Sequence, residues 1–275
     1  MSQPTLGQSF VNSLNMHGFS LQHTIRRVVQ DCFSQNLSDW RMEAVEFPVE
    51  VQGFGTRVDL ILSHRNESVW LLGECKRANP ALKDWCFAKY SWVHSGRSLE
   101  FLFADVITKG TSGGVRSSGM RLNAPDPPMH IGLEIKGNER GDSFGTGRGA
   151  IEEAVTQACR HMNGMIQFLD AHAFVMKSVR LIFLPLIFTS ARIWRTDIEL
   201  DEADLLTGNL KVTDTEMKEV PYVILQYPMS PGLKSETRLP PGFPLSLGGM
   251  LDFLYTRSVI IASTSQLEKF LGCAA

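Results

Sequence analysis

No run in this 275-residue chain approaches the ~18 consecutive apolar residues of a membrane-crossing helix, and the opening MSQPTLGQSF has neither a basic start nor a leader-like apolar stretch. Cysteine is sparse and scattered. Cys32, Cys75, Cys86, Cys159 and Cys273 form no CxxC pair, which argues against a zinc ribbon or a disulfide scaffold and predicts reduced thiols in the cytoplasm. Positive charge is not in excess either: 27 Lys and Arg face 29 Asp and Glu. The broad basic field of a high-affinity nucleic-acid binder is therefore missing, and a polyanion has to be held by a local patch or with a partner's help. The chain also lacks a Walker loop, an HExxH helix, a dinucleotide fingerprint and a serine elbow, which removes most competing enzyme classes.

What is present suffices for a sizeable core, with 43% hydrophobic residues over a domain-sized length. Residues 20–34 place Leu21, Ile25, Val28, Val29, Cys32 and Phe33 at helical spacing. AVEFPVEV, TRVDLILS and SVWLLGECK follow as three strands, the last two joined by the polar HRNE. NPALKDWCFAKYSWVH reads as a helix, SLEFLFADVITK and HIGLEIKG as strands, and TSGGVRSSG and GNERGDSFGTGRG as glycine-rich loops. The strongest helix is 150–169, with a broad face of Ile151, Ala154, Val155, Ala158, Met162, Met165, Ile166 and Leu169. VRLIFLPLIFTS is a buried strand, and the tail adds YVILQY, a proline-rich loop, RSVIIAS and a last short helix. The order predicts a mixed α/β sheet flanked by helices in one domain spanning 1–275. Residues 95–149 read as an insertion and 205–275 as a C-terminal extension of the sheet.

Three charged residues interrupt the apolar strands. Side chains alternate along a strand, so Trp70, Leu72, Glu74 and Lys76 share one face. A hairpin closing symmetrically around Asn66 and Glu67 sets Asp59 directly across from Glu74. Opposed carboxylates on adjacent strands repel unless something neutralises them. A divalent cation resolves the conflict: Mg²⁺ or Mn²⁺ takes one or two carboxylates plus waters and phosphate oxygens, and a nearby lysine can help deprotonate a bound water. A second ExK, Glu134-Ile135-Lys136, with Asp105 as its partner, offers an alternative site. The first set is preferred because its hairpin closes without an intervening glycine-rich stretch.

Asp59, fourteen residues, then Glu74-Cys75-Lys76, on a hairpin behind an amphipathic helix, resembles the PD-(D/E)XK restriction-endonuclease-like nuclease superfamily. Arg57-Val58 stand where the signature carries its proline. The resemblance covers roughly 20–76 and 149–190 and implies an αβββαβ core with a large insertion after Lys76. It adds the Cys75 backbone carbonyl as a metal ligand. It also adds Gln157 as a catalytic residue, with His161 at the usual tyrosine position of a Gln-x-x-x-Tyr element. Helix 20–34 offers Gln22, Gln30 and Asp31 in place of the expected glutamate, and Glu43, Glu46 or Glu50 could substitute. The activity implied is Mg²⁺-dependent cleavage of DNA by an endonuclease of restriction or antiviral-defence type. Near-neutral charge suggests a helicase, ATPase or sensor partner that delivers DNA. A homodimer would suit two-strand cutting. The alternatives are a decayed nuclease-fold interaction subunit and an RNA-cleaving nuclease.

Overall fold

A computed structural model describes residues 4–16, 18–51, 53–89, 101–110, 115–135, 149–172, 180–198, 200, 202–228 and 256–273. Two helices, α1 (Leu6–Met16) and α2 (Phe19–Ser34), precede a meander of β1 (Trp40–Val51), β2 (Phe54–His64) and β3 (Val69–Lys76). Then come β4 (Asp84–Ala88), β5 (Phe101–Lys109), β6 (Val115–Asn123), β7 (Ile131–Ile135) and the long α3 (Gly149–Ala171). The chain finishes with β8 (Arg180–Thr189), β9 (Arg192–Arg195), β10 (Lys218–Val220), β11 (Tyr222–Pro228), β12 (Thr256–Ser263) and α4 (Leu267–Leu271).

The strands form a mixed eight-stranded sheet in the order β1-β2-β3-β8-β12-β11, with β5 and β6 joined through β8, and a second sheet in the order β10-β9-β4-β7. On the side of β8 away from β3, Arg180 to Phe183 pair with β5, and Leu186 to Thr189 pair with β12. Pro185 lies where one ladder ends and the other begins, the place where a missing N–H costs least. The alternation of β2, β3 and β8 sorts the core into two sides. Leu60, Leu62, Leu71 and Leu186 pack with Ile25 and Val29 of α2, whereas Ile61, Leu72 and Phe183 pack with Met162 and Met165 of α3.

Some expectations are corrected. The segment around Asp84–Ala88 is a strand, not part of a helix: Trp85 and Phe87 are fully buried between β7 and β9, neighbours far away in sequence. Residues 115–119 of the expected loop TSGGVRSSG belong to β6, paired along its length with β5. Tyr90, Trp92 and Lys136, with most of GNERGDSFGTGRG and all of LPPGFPLS, lie outside the described residues. Within 95–149, β5 and β6 join the large sheet and β7 the small one; within 205–275, β11 and β12 extend the large sheet. Among the described residues no helix is long and apolar enough to cross a membrane.

Candidate active site

The β2–β3 ladder runs from Ser63 opposite Trp70 to Leu60 opposite Gly73. One residue further, that register puts Asp59 across from Glu74, as the hairpin symmetry predicts. The regular ladder stops there because Asp59 Oδ2 accepts the Cys75 N–H at 2.7 Å, taking the place of a backbone carbonyl. The N–H and C=O of one strand residue point to the same side. The Cys75 carbonyl therefore also turns toward β2, while the Lys76 carbonyl turns the other way and accepts from Ser190 N at 3.3 Å.

A third carboxylate extends the row. Val45 pairs with Leu60 and Phe47 with Val58, so Glu46 of β1 stands opposite Asp59. Glu46 holds φ at 53°, a left-handed conformation unusual for a non-glycine residue and a site of local strain. The buried Gln22 of α2 fills the opening, its Nε2 donating to Glu46 Oε1 at 2.7 Å and to the Asp59 carbonyl at 2.9 Å. Of the helix and strand candidates that stood in for a missing glutamate, these two meet Asp59.

From the other face α3 lays down a stripe of Glu153, Gln157 and His161, spaced four residues apart. Glu153 Oε1 lies 2.7 Å from Lys76 Nζ, and His161 Nδ1 lies 3.7 Å from Glu74 Oε2. Both contacts fix Glu74 and Lys76 on the α3 side, with the half-buried Gln157 between them along the helix. The close seating depends on Gly164, where a Cβ would come within 2.8 Å of Val49 Cγ2 on β1.

Burial governs the charges. Glu74 is pushed up to about 9, first by burial and then by the charge of Asp59, with Lys76 opposing. Asp59 rises to about 6 through burial, opposed by the Cys75 N–H. His161 falls to about 4, also through burial. At neutral pH, without a bound cation, Glu74 is a carboxylic acid and His161 a neutral imidazole. Their 3.7 Å contact is then too long for a hydrogen bond and not an ion pair. Glu74 Oε2 and His161 Nδ1 are both buried with no hydrogen-bond partner among the described residues.

Such an orphaned carboxyl oxygen is costly, and a cation would satisfy it. Asp59, Glu74 and the Cys75 carbonyl fit a hard divalent ion that keeps its remaining positions for water and phosphate. Among the described residues no three His, Cys, Asp or Glu side chains form a metal-holding group.

Of the second set, Lys136 lies outside the described residues, and Asp105 and Glu134 lie in different sheets. Asp105 lies in the large sheet, buried against Arg257, whose Nε is 3.1 Å from Asp105 Oδ2. Glu134 lies in the small sheet, and its Oε1 accepts from Ala150 N at 2.7 Å, capping the α3 N-terminus where a phosphate could otherwise dock. Several basic residues are engaged by other groups: Lys89 with Asp197, Arg192 with Asp84, Arg195 with Asp126, and Arg77 on the Asn15 carbonyl. Sequence reasoning missed Glu153, whose only signal is its position one turn before Gln157.

Beside the carboxylates, a cleft of about 760 Å³ opens between the β1–β2 end of the sheet and the last turns of α3. Thr56, at its wall, has Oγ1 3.5 Å from His161 Nε2, and Arg57, at its rim, is 3.5 Å from Glu46 Oε2. No family model matches the chain, and no curated protein or solved structure does either.

Proposed function

We propose that this chain is a divalent-metal-dependent phosphodiesterase acting on nucleic acid, with DNA as the leading substrate and Asp59, Glu74 and Lys76 at its centre. The observation that carries the reading is the buried, unpartnered Glu74 Oε2 on the face it shares with Lys76, across from Asp59. A core built from α2, β1 to β3, α3 and β8 supports the restriction-endonuclease-like assignment.

Asp59 and Glu74, with the Cys75 carbonyl, would hold Mg²⁺ or Mn²⁺. When bound, the cation supplies charge neutralisation at the phosphate and an acidified water. Lys76 orients the attacking water on the shared face, released from Glu153 when a phosphate draws the ammonium toward itself. Gln157 positions a phosphate oxygen. His161 is a positioning residue: its neutral ring fills the space against Glu74 without adding charge. Gln22 fixes the other side by tying Glu46 to the Asp59 backbone.

The engagement of so many cations in ion pairs, together with a net charge of −2, supports weak intrinsic duplex affinity and a helicase, ATPase or sensor partner that delivers DNA. A role in antiviral defence, with dimeric cutting, rests on the family resemblance alone, and a cytoplasmic setting on the scattered cysteines. One observation favours a competing reading. Gln22 in place of a helix carboxylate suits a nuclease-fold interaction subunit that no longer binds metal.

Incubating the protein with supercoiled plasmid, or with a structured RNA, and Mg²⁺ or Mn²⁺ tests the proposal. Nicking lost in Asp59→Ala, Glu74→Ala and Lys76→Ala but kept in Glu134→Ala is the expected result. Wild-type activity in all three site variants sinks it. Absence of Mn²⁺ binding by calorimetry would instead establish the interaction subunit.

A further inference from the structure

We infer that the cleft next to Asp59 and Glu74 receives an unpaired nucleotide of a single strand, its base stacked on the Phe168–His172 pair. The inference rests on the phosphodiesterase reading and supplies its substrate class. Three features of the cleft carry it.

The first is size. About 760 Å³ falls within the range of pockets that enclose one small organic ligand, and a duplex, whose bases are stacked inside, cannot enter it. The second is the lining. Phe168 and His172 lie with ring centroids 4.5 Å apart at 25°, a stacked pair against the cleft, and Phe47 braces Phe168 from behind, edge-on at 5.1 Å. A braced aromatic face is what single-strand binders use, because every base has a π-face.

The third is placement. Arg57 lines the cleft with its side chain 70% exposed, and its guanidinium lies 3.5 Å from Glu46, the neighbour of Asp59. It is poised to meet a backbone phosphate between cleft and carboxylates. Phe168 is two helical turns beyond His161, ~10 Å along α3. A strand with one phosphate at Asp59 and Glu74 therefore carries a nearby base to the cleft. Because base stacking supplies much of this affinity, the weak overall charge of the chain is no obstacle to it.

The test uses the full chain carrying Glu74→Gln, so that bound strands stay intact, in chelator. Fluorescence anisotropy compares short DNA and RNA homopolymers of A, C and T or U with a blunt duplex. The single strands should bind at least about tenfold more tightly than the duplex, whichever base they carry. Phe168→Ala should weaken single-strand binding about 5- to 150-fold. His172→Ala and the more conservative Phe168→Leu are parallel variants that avoid emptying the space against Phe47. A photo-reactive base should crosslink to Phe168, His172 or Gln167. Equal affinity for duplex and single strand, wild-type binding by the Phe168 and His172 variants, or crosslinks elsewhere overturns the inference. If wild type cleaves while these variants bind normally, the cleft assignment fails and the phosphodiesterase stands. If crosslinks map to the cleft but no metal supports cleavage, the cleft stands and the phosphodiesterase reading fails.

Discussion

Glu74→Gln should stabilise the metal-free protein, and by an amount that grows with pH. An ordinary glutamate ionises near 4.5, whereas burial and the charge of Asp59 hold Glu74 neutral up to about 9. Between those values the unfolded chain releases a proton that the folded chain keeps, so the stability of wild type falls as pH rises. His161 works in the opposite direction, but only between its folded value of about 4 and its ordinary 6.5, and Asp59 titrates only up to about 6. From pH 6.5 to 9 Glu74 is the one of the three still changing. At ~1.4 kcal/mol per pH unit, wild type should lose on the order of 3 kcal/mol over that window. The amide introduced by Glu74→Gln does not titrate, so the variant's advantage over wild type should widen by the same amount. Urea denaturation in chelator at pH 6.5, 7.5 and 9 measures the difference directly. Adding Mn²⁺ should then stabilise wild type, by about 2.7 kcal/mol at one hundred times Kd, and leave the variant unmoved. Parallel pH profiles for the two proteins would mean that Glu74 is ionised or solvated in the folded state, and the argument for a cation at its orphaned oxygen would collapse.

Gly164→Ala normally favours a helix by about 1 kcal/mol, but here the added Cβ meets Val49, so a net loss of about 1–3 kcal/mol is expected in urea unfolding, with reduced cleavage. Arg257→Met leaves Asp105 buried without its cation and should cost about 3–5 kcal/mol, read as a lower thermal midpoint. Its cleavage per folded molecule should match wild type, because neither residue belongs to the Asp59 row. Glu134→Ala removes the α3 cap and should cost about 0.5–2 kcal/mol in the same assay while metal-dependent nicking persists. Loss of nicking there would move the site to the second ExK.

Local pattern made the hairpin legible. Its two strands are consecutive, their turn is short, and side-chain alternation then fixes which residues face each other, so the register at Asp59 and Glu74 followed from counting. The strand Asp84–Ala88 was not legible in this way. Its aromatics fit a helix as well as a strand, and what makes it a strand is pairing with β7 and β9 from remote parts of the chain. The two ExK motifs were equal as strings of letters. One glutamate lies buried with an oxygen unpartnered, and the other caps a helix that begins fifteen residues after it.

The sequence by itself determined the mixed α/β class, the long α3 with its apolar face, and the facing of Asp59 with Glu74, because each depends on periodicity over a few neighbouring residues. Only the tertiary structure decided what surrounds them. It set Gln22 against Glu46 and Asp59, brought His161 and Glu153 onto Glu74 and Lys76, paired Asp105 with Arg257, and opened the cleft at Phe168. These contacts join residues tens to more than a hundred positions apart, and burial, which shifts the proton affinities of the site, exists only once the chain has closed over it.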